Sequence, residues 1–354
     1  MNSVRLGIIG CGFIGRMHAV AASRDPNVDL VAFADVDRDR ARALANEFGA
    51  RKVYKSPARM LANPDIDAVV LALTASVRSK LAPQVLRKGK HLLIEKPPAI
   101  NARQIRKLME LQGDRVVGCC SARFSFFDGA RIAREIVDSG ALGALRVVRC
   151  RGLSAVSAAT VDWTPPPWRV SHALNGGGYL VNWGIYDLDY LMHVTGWQLI
   201  PETVLAQTWP ITDDLREGRV HPDSDAENHV IVMIRCTNGA VLTLERGEAV
   251  SIPDEDVWQV TGERGSLRLQ MTPSRGPIVL HDHADPETGL QSTVALEDSG
   301  PDVQHTMPVS DFAAAIREGR QPQTDLTKAL ALQTILDAIY KSARSGQSVR
   351  VRRT

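Results

Sequence analysis

The apolar run Val4–Ile9 passes directly into Gly10-Cys11-Gly12-Phe13-Ile14-Gly15, and that junction constrains the fold more than any other part of the chain. A G-x-G-x-x-G pattern alone is weak, because glycine turns are common. Here it follows a strand-like run and opens a helical pattern with Ile14, Met17 and Ala21 on one side. Asp35 then ends the next apolar run, 20 residues beyond Gly15. That combination is the signature of a dinucleotide site. Gly10 permits the tight turn, Gly12 lets backbone N–H groups approach a pyrophosphate, and Gly15 lets helix and strand pack closely. The positive end of the helix completes the anion site. Asp35 in that position accepts hydrogen bonds from ribose hydroxyls and repels a 2′-phosphate, which favours NAD, with NADP as the alternative. Arg38 and Arg40, just downstream, are placed to soften the preference.

The same rhythm continues to about residue 122. Strand-like runs at Leu30–Ala34, Lys52–Tyr54, Ala68–Leu73, His91–Ile94 and Arg115–Cys120 alternate with helical patterns. The runs at Leu30 and Ala68 are apolar on consecutive positions, as parallel strands buried on both faces must be. Asp39–Phe48 stops at Gly49, Ser56-Pro57 reads as an N-cap with proline in the first turn, and Asn101–Leu111 stops at Gly113. Alternating strands and helices predict a doubly wound parallel sheet.

Beyond residue 122 the pattern changes. A helix is expected over Asp128–Asp138 and strands over Leu145–Arg151, His229–Cys236, Ala240–Glu245, Val257–Thr261 and Ser266–Leu269. Thr237-Asn238-Gly239 between two of these is a hairpin signal. A long helix, Thr327–Ser345, closes the chain, and Thr160–His172, with three consecutive prolines, reads as a loop. The expectation is an α/β chain of two domains: a dinucleotide-binding domain over 1–122, then an α/β domain over 123–354 with an open, mainly antiparallel sheet for substrate binding and oligomerisation. A chain of 354 residues is long enough for both.

A net charge of +2, without a basic run interleaved with aromatics, argues against nucleic acid and anionic membranes. No apolar stretch approaches the ~20 residues of a membrane helix, and the start is too short for a signal peptide. Five cysteines without pairing or metal-ligand spacing read as reduced thiols in a cytoplasmic protein. His281-Asp282-His283 reads as an exposed turn and Asp223–His229 as a strand entrance, so no metal site is expected.

Glu95-Lys96-Pro97-Pro98 follows the strand His91–Ile94. In open parallel sheets, chemistry gathers outside the carboxyl ends of the strands. A lysine there can bond a substrate hydroxyl, and Glu95 can orient it. Glycine fingerprint, second-strand Asp35 and Glu95-Lys96-Pro97 together resemble the glucose–fructose oxidoreductase / inositol dehydrogenase / rhizopine-catabolism (Gfo/Idh/MocA) family. The resemblance extends through Ser139–Gly143, Trp168-Arg169 ahead of Gly176-Gly177-Gly178, Gly262–Gly265 and Ser342–Gly346. It implies an NAD(P)-dependent dehydrogenase acting on a CH–OH group of a sugar, cyclitol or related polyhydroxy compound.

The family usually continues with Asp-x-Gly-x-His-x-x-Asp, where this chain has Asn182-Trp183-Gly184-Ile185-Tyr186-Asp187-Leu188-Asp189. Asn182 and Tyr186, four apart, are expected on one helix face. A tyrosine in the histidine position resembles the glucose–fructose oxidoreductase and dihydrodiol dehydrogenase branches. A phenol beside Lys96 can relay a proton, and the Asn182 amide can bond a substrate hydroxyl. After the fourth strand, Leu73-Thr74-Ala75-Ser76-Val77-Arg78 departs from the family's Thr-Pro-Asn stretch. The resulting expectation has Lys96 and Tyr186 as the catalytic pair. Gly10, Gly12, Phe13, Ile14, Gly15, Asp35, Arg38, Thr74, Glu95 and Lys96 form the cofactor site. Lys96, Arg123, Arg169, Asn182 and Tyr186 meet the substrate, with internal ion pairing as the alternative for the two arginines and internal packing for Tyr186. A homodimer or homotetramer is expected. The rivals are a glycoside-cleaving enzyme that uses bound NAD catalytically and a non-enzymatic dinucleotide-binding regulator.

Overall fold

The structure is a computed structural model that describes residues 3–157, 165–272, 277–282, 287, 289–297 and 302–352. It divides into two compact units, Met1–Arg123 with Val303–Ala331, and Phe124–Asp302 with Leu332–Thr354.

The first unit is built on six parallel strands: β1 (Val4–Ile9), β2 (Val28–Ala34), β3 (Lys52–Tyr54), β4 (Ala68–Leu71), β5 (His91–Ile94) and β6 (Val117–Cys119). Their order is β3-β2-β1-β4-β5-β6, so the direction of winding reverses between β1 and β4. Ligand crevices of doubly wound sheets form at that reversal. Helices α1 (Phe13–Arg24), α2 (Arg38–Phe48), α3 (Pro57–Leu61), α4 (Ala75–Arg87) and α5 (Ala102–Gln112) connect the strands. Asp37 caps α2 through its side chain and Gly49 ends it in the left-handed region. Ser56 precedes α3 but its side chain makes no capping bond, so Pro57 alone marks that start.

The α1 stripe differs from expectation. Its buried residues are Gly15, His18, Ala19, Ala21 and Ala22, with Ile14 and Met17 only half-buried. Gly15 must face the β1 turn, and that fixes the rotation of the helix. The C-terminal segment is a second correction. Val303–Ala331, expected in the second domain, packs with the first. Val309, Phe312, Ala313 and Ala315 of helix Met307–Glu318 share a buried cluster with Leu6, Ile8 and Phe33. Cys119 N–H donates to the Thr324 carbonyl at 2.9 Å.

The second unit carries, among the described residues, a nine-stranded sheet. Its strands are β7 (Leu145–Ala155), β8 (Pro201–Trp209), β9 (His229–Cys236), β10 (Val241–Val250), β11 (Glu255–Gly262), β12 (Gly265–Leu269), β13 (Ile278–Asp282), β14 (Gln291–Leu296) and β15 (Val349–Arg350). The order is β14-β13-β12-β11-β7-β10-β9-β8-β15. Only β7 and β10 pair in parallel; the remaining ladders are antiparallel. The β9–β10 turn at Gly239 is left-handed at φ +83°, as Asn-Gly predicts. His281 lies in β13, with Nδ1 2.7 Å from Ser292 Oγ, so its motif is a strand end rather than a turn. His283 lies outside the described residues, as does the 158–164 part of the proline loop. Helices α6 (Asp128–Asp138), α7 (His172–Asn175) and α8 (Ile185–Val194) complete the unit's earlier part.

One buried ion pair ties α8 to the sheet. Asp187, fully buried, accepts from Arg246 Nε at 2.6 Å, Arg246 Nη2 at 2.7 Å and Trp258 Nε1 at 2.8 Å. Gly152 stands opposite Arg246 in the β7–β10 ladder, and a Cβ there would lie 2.1 Å from Arg246 Nη1. The missing side chain is the slot in which the guanidinium lies.

Candidate functional site

The glycine turn of the first unit has the geometry its sequence implies. Gly10 sits at φ +100°, and a Cβ there would lie 2.3 Å from the Ala72 carbonyl oxygen. A Cβ on Gly15 would meet the Gly10 carbonyl oxygen at 1.9 Å, whereas one on Gly12 would meet nothing within 4 Å. Two glycines are therefore demanded by the protein's own packing. The third leaves a cradle open at the start of α1, which has no side-chain cap and no acid in its first turn. Uncapped N–H groups with open space before them suit a pyrophosphate. Asp35 accepts from Cys11 N–H at 2.7 Å and Asp37 N–H at 2.9 Å, which holds its carboxylate against the turn. Phe13 and Val36 are 77% and 82% exposed beside it. Arg38 is exposed at the first position of α2, and Arg40 is held by Asp37 at 3.2 Å.

The next two loops of the carboxyl edge are joined by a residue the sequence reading passed over. Arg78, buried on α4, donates to the Pro97 carbonyl from Nε at 3.2 Å and Nη2 at 2.6 Å, and to the Leu73 carbonyl from Nη1. It thereby fastens the loop after β5 to the loop after β4. Thr74 is half-buried at the N-cap of α4, its carbonyl accepting from Val77 and Arg78.

Glu95 is the centre of the β5 loop. Its Oε1 lies 2.9 Å from His18 Nε2 and accepts from Arg123 Nη2 at 2.7 Å, and its Oε2 accepts from Lys96 N–H at 3.1 Å. Burial alone would raise its pKa, but Arg123 and His18 hold it well below the usual carboxylate range. Arg123 is thus an internal ion-pair partner of Glu95, because a buried carboxylate needs a buried cation. Cys120 joins the cluster, with its sulfur and one ligand atom each of His18 and Glu95 within 4.8 Å of one another. Burial and Glu95 push that thiol well above its ordinary range, so it stays protonated. Arg123 already supplies a counter-charge to Glu95 within this donor set. Lys96, half-buried, follows on a cis Lys96–Pro97 peptide.

In the second unit a buried acid organises the other candidate residues. Glu227 accepts from Gly178 N–H at 3.1 Å, Leu180 N–H at 3.0 Å and Tyr340 Oη at 2.9 Å. Burial pushes its carboxyl above the ordinary range. A Cβ on Gly177 would lie 1.8 Å from Tyr340 Oη, and one on Gly178 1.9 Å from the Glu227 carbonyl oxygen, so the glycine run exists to wrap this pair. The chain then enters a π-helical turn, Leu180–Gly184, that runs into α8. Such turns recur at functional sites.

Asn182 lies in the π turn. Its Nδ2 donates to the Arg169 carbonyl at 2.5 Å and its Oδ1 accepts from Asn175 at 3.1 Å. Tyr186 is buried, edge-on to Phe124 at 5.1 Å and to Trp183 at 6.0 Å between ring centroids. Arg169 pairs with Glu248 at 3.1 Å and lies 5.5 Å over the Tyr179 ring. A cavity of about 250 Å³ opens here, bounded by Arg169, Tyr179, Trp183, Arg246, Glu248 and Asp256. The partly exposed Trp183 ring, with guanidinium and carboxylate groups around it, suits a ligand with an apolar ring face and polar edges.

Residues 4–118 match the family model described as an oxidoreductase family with an NAD-binding Rossmann fold, and residues 130–268 match the GFO/IDH/MocA C-terminal domain. The chain is 30% identical to dTDP-3,4-didehydro-2,6-dideoxy-alpha-D-glucose 3-reductase of Actinomadura kijaniata, over 97% of this chain and 96% of that one. The chain belongs to the GFO/IDH/MocA oxidoreductase family. Another relative, D-glucoside 3-dehydrogenase of Escherichia coli, is 25% identical over 98% of this chain and 97% of its own. A levoglucosan dehydrogenase in complex with NADH superposes with a TM-score of 0.85 at 21% identity, covering 100% of both chains, and so shares the fold.

Glu227, Tyr340, Arg78 and His18 escaped the sequence reading. Gly177 and Gly178 were the available signal for Glu227, since consecutive glycines imply a close approach, but not by which residue.

The Glu95 cluster fixes a pH dependence. A carboxyl whose folded pKa lies below its unfolded value of 4.5 contributes stability that is complete above that value and disappears as pH falls through the folded pKa. Glu95→Gln should lower stability at pH 7 by about 3 kcal/mol or more, because Arg123 loses its buried partner. The difference between the two proteins in urea titrations should narrow only below about pH 4.5. A constant difference down to pH 3 would refute the assigned ion pair.

Proposed function

We propose that this GFO/IDH/MocA oxidoreductase oxidises a carbinol carbon of a sugar, cyclitol or related polyhydroxy compound, with NAD as the preferred cofactor. The reading rests on one observation: one sheet edge of the first unit presents the open Gly12 cradle, the tethered Asp35 carboxylate and the Glu95-braced Lys96 together. The names of the relatives, a glucoside dehydrogenase and a deoxysugar reductase, support the substrate class. The levoglucosan dehydrogenase complex with NADH supports the cofactor.

Gly10, Gly12, Phe13, Ile14 and Gly15 would hold the dinucleotide with Asp35, Thr74 and the Glu95–Lys96 loop, and Phe13 and Val36 offer apolar surface for a nucleotide to cover. The nicotinamide, when bound, supplies the hydride acceptor. Lys96 takes the hydroxyl proton, and the Glu95 contact to its backbone N–H keeps the lysine in place. Tyr186 relays that proton, while Asn182 and Arg169 orient hydroxyl groups. The five buried cysteines suit a reducing compartment, and we assign the enzyme to the cytoplasm. Among the described residues, no helix is long and apolar enough to cross a membrane.

The catalytic assignment predicts that Lys96→Ala lowers kcat by about 10²–10⁴ while NAD binding, measured by fluorescence, stays near normal. Tyr186→Phe keeps the ring and its packing and should lose roughly tenfold to a thousandfold. The double variant should lose less than the product of the single effects if the two groups act as a unit. Normal turnover in Tyr186→Phe would make the tyrosine structural; normal turnover in Lys96→Ala would end this mechanism.

Cofactor choice is tested separately. The unmodified enzyme should show higher kcat/KM with NAD than with NADP, and Asp35→Ser should erode that preference. An initial preference for NADP would contradict the role given to Asp35.

The outer face of the second unit's sheet exposes Leu205, Trp209, Ile231 and Met233, with Leu205 and Met233 directly opposite in register. An apolar patch on an open sheet face calls for cover. We propose a homodimer, or a tetramer built from such dimers, with Met233→Lys and Ile231→Lys reducing the mass seen in light scattering. A concentration-independent monomer for the unmodified chain would exclude it.

A further inference from the structure

Lys96 sits between two anchors of opposite charge. Its own N–H is held by Glu95 Oε2 at 3.1 Å. The carbonyl of the next residue, Pro97, accepts from Arg78 Nε at 3.2 Å and Nη2 at 2.6 Å. The lysine therefore has the peptides on both sides of it fixed. The sequence explains why the second anchor is needed. Pro97 and Pro98 are buried and carry no N–H, so this stretch of backbone offers acceptors without donors. A buried carbonyl left without a donor is costly. Arg78 supplies the donors from α4, the helix that follows the neighbouring strand.

Nothing in α4 itself calls for that arginine. It lies near the start of the helix, where a cation opposes the macrodipole, and the first turn holds no acid to offset it. It is also only 3% exposed, so its charge does not serve the surface. Its fork joins two loops instead, since Nη1 donates to the Leu73 carbonyl. That brace is continuous with the glycine turn. A Cβ on Gly10 would lie 2.9 Å from Leu73 Cδ2, so the turn rests on the loop that Arg78 grips. On the other side Glu95 Oε1 reaches His18 of α1. Within the first unit, contacts thus run in a closed circuit: α1, Glu95, Lys96, Pro97, Arg78, Leu73, and back to the turn that opens α1. Removing Arg78 opens the circuit and leaves the Lys96 backbone anchored at one end.

We propose that Arg78 is a positioning residue for the dehydrogenase reaction, holding the Lys96 backbone at a fixed distance from the glycine cradle. This inference rests on the dehydrogenase reading above. The effect of Arg78 passes through Lys96. A proton acceptor displaced by about 1 Å can lose on the order of a hundredfold in rate. Dinucleotide binding, which that reading places on the cradle and Asp35, is left in place.

Single-turnover NAD reduction by the full chain tests it, with glucose, methyl glucoside and myo-inositol as substrates. For the compound oxidised fastest, Arg78→Met should lower the rate about a hundredfold, with NAD affinity and the half-saturating substrate concentration within about threefold. Arg78→Lys keeps the charge but not the fork, and its rate should fall between the two. Hydrogen exchange gives a readout independent of activity. Lys96 N–H should exchange faster in both variants, with the amides of Val70 and Leu93 inside the sheet unchanged. A normal rate in a folded Arg78→Met would overturn the proposal, as would an NAD affinity that falls in step with the rate. Should Arg78→Met not fold, an Arg78→Lys that matches the unmodified rate would overturn it equally. If none of the three compounds reduced NAD with the unmodified chain, the dehydrogenase reading would fall and this proposal with it, an outcome distinct from a normal rate in the variants.

Discussion

A single desolvated carboxylate, Glu95, sets the geometry of the carboxyl edge of the first unit's sheet. Removing a carboxylate from water costs several kcal/mol unless cations and donors replace the lost hydration. Here the replacements come from α1 through His18, from the segment after β6 through Arg123, and from the next peptide through Lys96 N–H. Each partner is thereby held where the acid needs it. The glycine turn ahead of His18 and the lysine behind Glu95 are fixed relative to one another by the same charge. Arg78 adds the crosspiece to the neighbouring loop.

The second unit solves the same problem twice with different chemistry. Asp187 meets a bidentate guanidinium and an indole N–H, a pairing that locks α8 onto the sheet. Among the described residues, Glu227 accepts hydrogen bonds from backbone N–H groups and a phenol, with no cation among those partners. Burial therefore dominates its proton affinity, in contrast to Glu95. The two acids work at opposite ends of the electrostatic range, and both serve to place a short irregular segment.

The parallel sheet was legible because its strands are short apolar runs separated by helices with visible caps and stops. Lys52–Tyr54 and His91–Ile94 could be bounded to the residue. β8 was invisible, since Glu202, Thr203, Gln207 and Thr208 dilute its alternation, and helix Met307–Glu318 buries mostly alanine and valine, which carry little periodic contrast. In the candidate site, residues that act through backbone shape were readable from glycine spacing. Residues that act through distant partners were not. Nothing local tells Glu227 that Tyr340 and Gly178 will enclose it, and nothing near Arg123 names Glu95 as its counter-charge. The π turn that carries Asn182 was also hidden, because such a turn leaves no signature in the side-chain pattern.

The return of Val303–Ala331 to the first unit decides when that unit can fold. Phe312 and its neighbours fill the same cluster as Leu6, Ile8 and Phe33, and Thr324 completes the hydrogen bonding at the end of β6. A nascent chain that has delivered its first 123 residues therefore holds a sheet whose core is unfinished. It must wait for the ribosome to supply about two hundred more before the cleft-bearing half closes. Strands β7–β14 and helices α6–α8 of the second unit are synthesised within that wait. Biogenesis thus departs from the order of the sequence: the dinucleotide half starts first but cannot close until most of the second unit has been made, exposed meanwhile to chaperones and proteases.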